Sequence, residues 1–291
     1  MADTVLVTGG VGTVGSEVVR RLVAAGERVR ATAHFPDYGA ETRARGIDYV
    51  EVDYHDRHTL RTAFDGVGRL FLIVPESPGS EPATRNLMEA AAEAGVRRVV
   101  KLSFLNADKR VGGRLLRWHH QAERAVLESG IPVTVLRPNL FMQNFVTLYG
   151  PSIVALGSLR LPLADARVSY VDVRDVADVA VAVLLGDGHV GREYDLTGPE
   201  AVSHEQIAAV LSRVTGRPIR YLDEVGSDAR LRLERVGACA QVAPSLEELW
   251  ASVRAGDFAA VSPAVRDLLG REPFSFERFA TDHAAAFAPQ R

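Results

Sequence analysis

A glycine-rich turn near the N-terminus constrains the fold of this chain more than any other feature. The apolar run Val5–Val7 leads into Thr8-Gly9-Gly10-Val11-Gly12-Thr13-Val14-Gly15, and apolar residues then recur at helical spacing as far as Gly26. Glycines in such a turn permit a sharp reversal, let backbone amides approach a diphosphate, and allow the helix to pack closely on the strand. The pattern therefore predicts a strand–turn–helix unit that binds a dinucleotide.

Two glycine motifs fit this turn. One is Gly10-x-Gly12-x-x-Gly15, and the other is Gly9-x-x-Gly12-x-x-Gly15 behind Thr8, which is the spacing of short-chain dehydrogenases. The Lys-[Ser/Thr] ending of a P-loop is missing, which argues against a nucleoside triphosphatase. We expect cofactor contacts from the turn residues Thr8, Gly9, Gly10, Gly12, Thr13, Val14 and Gly15.

Short apolar runs alternate with amphipathic segments through the first half of the chain. This alternation is typical of βαβ units and of a parallel sheet buried on both faces. The six predicted strands are Val5–Val7, Val29–Ala33, Tyr49–Val52, Leu70–Val74, Val99–Leu102 and Val133–Leu136. We therefore predict an α/β fold with a Rossmann-type, doubly wound parallel sheet of six strands.

The pattern changes after Asn139. Here Leu161–Leu163, Ser169–Val171 and Glu193–Leu196 are isolated strand candidates among helical segments. This predicts an NAD(P)-binding Rossmann domain over residues 1–150 and a smaller C-terminal α/β substrate lobe over residues 151–291. We expect the lobe to be partly interleaved with the Rossmann sheet.

The choice of dinucleotide depends on the end of the second strand. An acidic residue there would hold the ribose 2′-hydroxyl of NAD, but this segment reads Ala31-Thr32-Ala33-His34. No carboxylate repels a 2′-phosphate, and His34 is able to donate to one, which favours NADPH. Asp37 lies slightly further on and leaves NAD as the alternative.

Charge and composition exclude several classes of partner. The net charge of −3 offers no basic field for nucleic acid, and no apolar run is long enough to span a membrane. A single cysteine allows no intramolecular disulfide, and no His, Asp and Glu grouping has the spacing of metal ligands. We expect a cytoplasmic protein, a monomer or homodimer, that acts on a small molecule.

Several segments resemble the NmrA-like, atypical branch of the short-chain dehydrogenase/reductase superfamily, which includes NAD(P)H:quinone oxidoreductases. The resemblance covers nearly the whole chain. It rests on the glycine turn and on the segments Val96–Ser103, Trp118–Glu123, Ser129–Asn139, Val171–Ala177 and Tyr194–Glu200.

The resemblance implies positions for the cofactor along the carboxyl edge of the sheet. By this similarity Asp53 faces the adenine, and Val74 and Pro75 flank its ribose. It also implies that Ser103, Pro138 and Asn139 border the nicotinamide. Trp118 and Phe141 are then candidates to line the pocket of a planar substrate.

The usual proton-transfer pair of the superfamily, Tyr-x-x-x-Lys, is missing. Lys101 and Lys109 are the only lysines, and neither has a tyrosine four residues before it. Some NmrA-like reductases carry a lysine at the position that corresponds to His119, so the resemblance makes His119 the candidate proton donor. Glu123 lies four residues further on the same helical face, where its carboxylate is expected to orient the imidazole. His119 and Glu123 are therefore the predicted catalytic residues.

These observations predict an NADPH-dependent oxidoreductase that reduces a small carbonyl, quinone or imine-like substrate by hydride transfer. Two alternatives stay open at this stage. One is a non-catalytic regulator of the NmrA type that binds NAD(P)(H) and senses its redox state, because such a regulator also lacks Tyr-x-x-x-Lys. The other is a cofactor-bound enzyme that catalyses no net redox reaction.

Overall fold

The fold is seen in a computed structural model that describes residues 3–33, 47–109, 113–235 and 243–288. Within these ranges the strands are β1 (Thr4–Val7), β2 (Val29–Ala33), β3 (Ile47–Glu51), β4 (Val67–Leu72), β5 (Arg98–Leu102), β6 (Val133–Pro138), β7 (Ser158–Leu161), β8 (Arg167–Val168), β9 (Glu193–Leu196), β10 (Val202–Ser203) and β11 (Arg220–Asp223).

The same ranges contain twelve α-helices. They are α1 (Thr13–Ala24), α2 (Arg57–Phe64), α3 (Ser80–Glu93), α4 (Gly113–Leu127), α5 (Asn144–Thr147), α6 (Gly150–Leu156), α7 (Val173–Leu185), α8 (His204–Thr215), α9 (Gly226–Arg235), α10 (Ala243–Arg254), α11 (Ala264–Leu269) and α12 (Phe276–Asp282). A 3₁₀-helix, Ala284–Phe287, follows them.

The main sheet has the strand order β3-β2-β1-β4-β5-β6-β9. From β3 to β6 this is the order of a doubly wound Rossmann sheet, and the recorded pairings from β3 through β6 are parallel. All four residues of β1 and all six of β6 are buried, as strands covered on both faces must be. The predicted fold class is confirmed.

The sheet has seven strands rather than the predicted six. The additional strand, β9, lies beside β6. Only its last residue, Leu196, is buried, because the strand lies at the end of the strand order. A strand with so little buried surface lacks the apolar run by which the other six are recognised, and its place in the sheet could not be read from sequence.

Helix α1 begins directly after Gly12 and packs a stripe of apolar side chains on the sheet. Val14, Val18, Val19 and Leu22 of this stripe are buried. Gly26, at φ +82°, lies just past the end of the helix, where its amide donates to the Val23 carbonyl 3.0 Å away. The sequence-based prediction that Gly26 ends this helix is confirmed.

The chain divides into two compact units. The first comprises residues 1–104, 118–137 and 176–194, and the second comprises residues 105–117, 138–175 and 195–291. The chain thus crosses between the units five times, and none of the crossings coincides with the predicted boundary after residue 150.

The second unit contains two short sheets and an aromatic cluster. Strands β7 and β11 pair in parallel, and β8 and β10 pair antiparallel. The Phe145 ring meets those of Tyr149, Tyr170 and Phe276 edge to face, at centroid distances of 5.4, 5.0 and 4.9 Å. Such edge-to-face contacts are the favoured geometry for buried aromatic rings.

Two predicted strands of this unit are displaced in the structure. The prediction for Leu161–Leu163 falls at the end of β7, which stops at Leu161 because Pro162 has no amide hydrogen for the ladder. The prediction for Ser169–Val171 falls just after β8, where Val171 forms only an isolated bridge with Phe141.

Candidate active site

The glycine turn connects β1 to α1, and hydrogen bonds to the neighbouring strands hold it in place. The Thr8 hydroxyl accepts from the Ile73 amide at 2.7 Å and donates to the Ile73 carbonyl at 2.6 Å. The Gly9 amide donates to Thr32 Oγ1 at 2.9 Å, and Gly9 itself has φ +63°. These bonds fix the turn at the carboxyl ends of β1, β2 and β4.

Close contacts require two glycines of the turn, Gly10 and Gly15. A Cβ on Gly10 would lie 2.6 Å from the Ala31 Cβ, and one on Gly15 would collide with the Gly9 carbonyl oxygen. A Cβ on Gly12, by contrast, would meet only the Gly9 carbonyl oxygen within 4 Å, at 3.3 Å. The turn therefore packs tightly against β2 and against the first residues of α1.

The first turn of α1 has the character of an anion site. Gly12 offers no side-chain cap, and no acidic residue lies among the first helical residues. The first amides of an α-helix have no partner within the helix, and the helix dipole adds partial positive charge there. The residues of the turn, Thr13 and Val14 included, fit the diphosphate of a dinucleotide.

A cavity of about 340 Å³ lies at the ends of β3 and β4. Among its lining residues are Asp53, Val74 and Pro75, the three residues expected around the adenosine, together with Tyr54 and Ser80. The Asp53 carboxylate already accepts the His55 amide at 2.9 Å. Burial raises the pKa of Tyr54, so this phenol stays protonated and able to donate.

Contacts through Thr32 link the cavity to the glycine turn. Thr32 Oγ1 accepts the Gly9 amide, and it lies 3.4 Å from the Tyr54 hydroxyl. Tyr54 lines the cavity. A ligand long enough to reach from the turn into the cavity would therefore lie near both Gly9 and Tyr54. A dinucleotide has that length. His34, the residue expected to meet a 2′-phosphate, lies outside the described residues.

His119 lies on α4 with only 8% of its surface exposed. Its Nε2 is 3.3 Å from Glu76 Oε1, and its ring lies 5.5 Å from the ring of Phe104. Burial acts to raise the pKa of Glu76, but the hydrogen bond with His119 and the positive charges of His119 and Lys101 outweigh it and lower that pKa. Glu76 is thus held as a carboxylate against the imidazole.

The predicted pairing of His119 with Glu123 is not found. Glu123 is buried, and both of its carboxylate oxygens accept from Arg137, at 2.9 and 2.7 Å. Arg137 also lies 2.8 Å from the Glu193 carboxylate. A buried guanidinium requires a carboxylate partner, and Glu123 forms this ion pair with Arg137. Glu76 is the carboxylate beside His119.

Glu76 was missed by the sequence analysis. It lies 43 residues before His119, in the loop after β4, so no helical spacing connects the two. The available signal was its place directly after Val74 and Pro75, at a carboxyl end of a parallel strand, where ligands of such sheets bind.

Ser103 follows β5 with 3% of its surface exposed, and its hydroxyl has no hydrogen-bond partner among the residues that the structure describes. An unpaired buried hydroxyl is costly unless a ligand or water satisfies it. Ser103 therefore fits the predicted contact with a bound nicotinamide.

The remaining predicted residues are found in different settings. Trp118 lines a small cavity beside His119. Pro138, Asn139 and Phe141 belong to the second unit, where the Asn139 amide donates to Ser169 Oγ at 2.8 Å and to the Phe258 carbonyl at 3.0 Å. Both amide hydrogens of Asn139 are thereby used within its own unit, so its side chain has no donor left for a cofactor.

Neither a metal centre nor a membrane span is found in the described ranges. No group of three or more His, Cys, Asp or Glu side chains there is arranged to hold a metal ion. None of the helices described is long and apolar enough to cross a bilayer.

Comparison with known proteins gives consistent matches over most of the chain. The NmrA-like family model matches residues 1–229. The (4-alkanoyl-5-oxo-2,5-dihydrofuran-3-yl)methyl phosphate reductase of Streptomyces griseus is 40% identical over 291 residues, covering 98% of this chain and 100% of the relative. The NAD(P)H azoreductase of Xenophilus azovorans is 35% identical over 283 residues, covering 97% of this chain and 99% of the relative.

A solved structure shares the fold at full length. The NADPH-dependent quinone oxidoreductase of Escherichia coli, in complex with NADPH, superimposes with a TM-score of 0.85 at 27% identity. The match covers 97% of this chain and 99% of that protein.

Proposed function

Since the chain belongs to the NmrA-like family, we propose that it is an NADPH-dependent oxidoreductase that reduces a small carbonyl, quinone or imine-like substrate. The observation that carries this proposal is the glycine turn with its uncapped helix, joined through Thr32 and Tyr54 to a cavity of about 340 Å³. Relatives that match nearly the whole chain are reductases, which supports the same activity.

The residues of the first unit divide the binding of the cofactor among them. The amides of the turn and of the first turn of α1 bind the diphosphate, while Asp53, Val74 and Pro75 enclose the adenosine. Ser103 donates its hydroxyl to the nicotinamide end. When bound, the cofactor supplies the hydride, and no metal is required for that chemistry.

Reduction of a polar double bond leaves negative charge on the substrate, which a proton must neutralise. We assign this proton transfer to His119, since imidazole is the side chain most often used for proton transfer near neutral pH. Glu76, 3.3 Å from Nε2, orients the ring and leaves Nδ1 as the second exchangeable position. Trp118, which lines the small cavity beside His119, is the aromatic residue that we assign to a planar substrate.

The relatives support an electron-poor substrate. Their names specify an alkanoyl-oxo-dihydrofuran phosphate, azo compounds and quinones. These compounds share a double bond that accepts hydride because electron-withdrawing atoms are conjugated with it or belong to it. We propose that the substrate of this chain has the same property.

Turnover measurements test this proposal. Purified protein is mixed with NADPH or NADH and a panel of quinones, azo dyes, aldehydes and unsaturated lactones, and oxidation of the nicotinamide is followed by absorbance. We expect NADPH oxidation with at least one acceptor, with NADPH preferred to NADH. Tight binding of NADPH with no turnover on the whole panel would instead favour a redox-sensing regulator.

We also propose that the protein works in the cytoplasm as a monomer or homodimer. Only the location has support, from the cofactor, because NADPH is regenerated in the cytoplasm. Cell fractionation and light scattering of the purified protein test the location and the oligomeric state, and a larger assembly would refute the latter.

A further inference from the structure

The first unit buries a lysine that the proposed reaction does not use. Lys101 lies on β5 with 1% of its surface exposed. Its Nζ donates to the Leu102 carbonyl at 2.5 Å. Burial of an ammonium group is costly unless nearby charges compensate it, and only two lysines occur in the whole chain. Lys101 is therefore an unusual choice of residue for the interior of a sheet.

The charged groups near Lys101, together with the charged residues that contact them, come from three elements and one loop. Glu76 lies in the loop after β4, and His119 and Glu123 lie on α4. Arg137 lies on β6 and holds the Glu123 carboxylate, while its other contact, Glu193, lies on β9. Glu76 and Glu123 are the two carboxylates whose charge acts on Lys101.

These two carboxylates differ in their hydrogen-bond partners and in their exposure to solvent. Glu123 is buried, and both of its carboxylate oxygens accept hydrogen bonds from Arg137. Glu76 is 39% exposed, and its recorded partner is the His119 imidazole. Glu76 is thus in contact with both solvent and the candidate proton donor.

Lys101, Glu76 and His119 line one small cavity together with Val74, Ser80 and Trp118. The cavity measures about 10 Å³, on the order of the space that a single water molecule occupies. The three ionisable groups therefore border the same small space, which has room for one water molecule between them.

Burial lowers the pKa of Lys101 to about 8, even though the charges of Glu123 and Glu76 act to raise it. An ordinary lysine keeps its proton far above neutral pH. Near neutral pH the Lys101 ammonium is therefore charged yet able to release a proton.

We propose that Lys101 is the internal proton reserve of the Glu76–His119 pair. The Lys101 ammonium passes a proton to the Glu76 carboxylate, Glu76 passes it to Nε2 of a neutral His119, and the resulting imidazolium gives its Nδ1 proton to the reduced substrate. Lys101 is left as a neutral amine and recovers its proton from solvent through the exposed edge of Glu76. No electrons move in these steps, and Lys101 is a positioning residue that does not touch the substrate.

This inference rests on the proposed function, but its first test does not depend on activity. Protein labelled with [ε-¹³C]lysine gives two lysine signals, and the one missing from Lys101→Met belongs to Lys101. We expect this signal to titrate with a midpoint at about pH 8. Glu76→Gln removes a negative charge beside the ammonium, so we expect the midpoint to fall by at least about half a unit.

A Lys101 signal that does not titrate below pH 10, or a midpoint that Glu76→Gln leaves unchanged, would overturn the proposal. Lys109→Met is the matched control, since Lys109 is exposed and lies outside this cavity. It removes the other signal and should leave the Lys101 titration as it is.

The second test follows turnover against pH. We expect kcat of Lys101→Met to be about tenfold lower near pH 8, with KM for NADPH unchanged and the alkaline limb displaced to lower pH. Lys101→Arg separates the two possible roles, because arginine keeps the charge but does not release a proton at these pH values. As a proton reserve, Lys101 is not replaced by arginine; full activity of Lys101→Arg would overturn the proposal and leave a purely electrostatic role.

The two tests separate the failure of this inference from failure of the proposed function. If no acceptor is reduced by the wild-type protein, the proposed function fails. The lysine titration still decides whether the charge of Glu76 acts on the pKa of Lys101. If the wild type is active and Lys101→Met keeps its pH profile, only the proton reserve is refuted.

Discussion

At the residue scale, the proposed proton transfer depends on a histidine and a carboxylate that come from distant parts of the chain. His119 comes from a helix and Glu76 from a loop, and their side chains lie 3.3 Å apart. Since His119 is only 8% exposed, its ring has little freedom to turn away from Glu76. The proposed proton donor is therefore held in one orientation beside its carboxylate.

Replacement of His119 tests its role as proton donor. We expect His119→Ala to lower kcat about 10²-fold while NADPH still binds, because the protein loses the proton and keeps the turn. Steady-state kinetics and an NADPH titration measure the two effects. His58→Ala, which removes an exposed imidazole on α2, is the control and should behave as wild type. Wild-type kcat in His119→Ala would exclude the role.

Replacement of Gly15 tests the turn. A Cβ at this position collides with the Gly9 carbonyl oxygen, so the turn must move away from its present shape. We expect Gly15→Ala to destabilise the fold by about 1–3 kcal/mol and to weaken NADPH binding at least tenfold. Gly226→Ala is the matched control, because its Cβ would have no neighbour closer than 3.8 Å. Equal NADPH affinity in both variants would contradict this account.

Local pattern was enough to predict some of these residues and not others. The glycines of the turn were predictable because their spacing is local and their role is set by the backbone. The pairing of Glu123 was not, because helical spacing shows which side chains share a face but not which buried cation competes for them. Arg137, on β6, is the cation that binds the Glu123 carboxylate.

At the scale of elements, α4 is joined to β6 by a buried ion pair. Glu123 and Arg137 have side chains only 3% and 6% exposed, so removal of either leaves an uncompensated charge in the interior. Such a change costs more than the pair itself contributes. The two residues therefore behave as one structural unit.

A double-mutant cycle tests this pairing. We expect Arg137→Met to lower the free energy of unfolding by about 3–5 kcal/mol, and Arg137→Met combined with Glu123→Met to recover much of the loss. Urea unfolding of the wild type, both single variants and the double variant gives the coupling energy. Additive effects of the two substitutions would show that the pair is not coupled.

Most elements could be predicted from sequence, with errors that have identifiable causes. Strands β1 to β6 were recognised because each carries a short apolar run. Strand β9 was not assigned to the main sheet, because its exposed residues carry no sign of a partner strand. Strand β7 was placed too late, since Pro162 ends it where the apolar run continues.

At the scale of the whole molecule, stability depends on pH through a buried histidine of the second unit. His204 is fully buried, and its Nε2 lies 2.9 Å from the Tyr170 hydroxyl. Burial lowers the pKa of His204 to about 4 from the ordinary 6.5. Between these two values the unfolded chain binds a proton that the folded chain does not, so the free energy of unfolding falls as the pH falls.

We expect this histidine to remove up to about 3 kcal/mol of stability as the pH falls from 7 to 4. Urea unfolding at the two pH values, compared between wild type and His204→Gln, measures its share, since the variant cannot titrate there. His58→Gln, on the surface, should keep the wild-type dependence. A His204→Gln protein that loses as much stability in acid as the wild type would contradict this account.

The function proposed for the whole molecule requires the first unit to hold a nicotinamide dinucleotide across the glycine turn and the cavity beside it. The most direct test is a calorimetric titration of the purified wild-type protein with NADPH and, separately, with NADH. We expect saturable binding of one NADPH per chain in the micromolar range, tighter than that of NADH. Absence of saturable binding of either dinucleotide at millimolar concentration would contradict it.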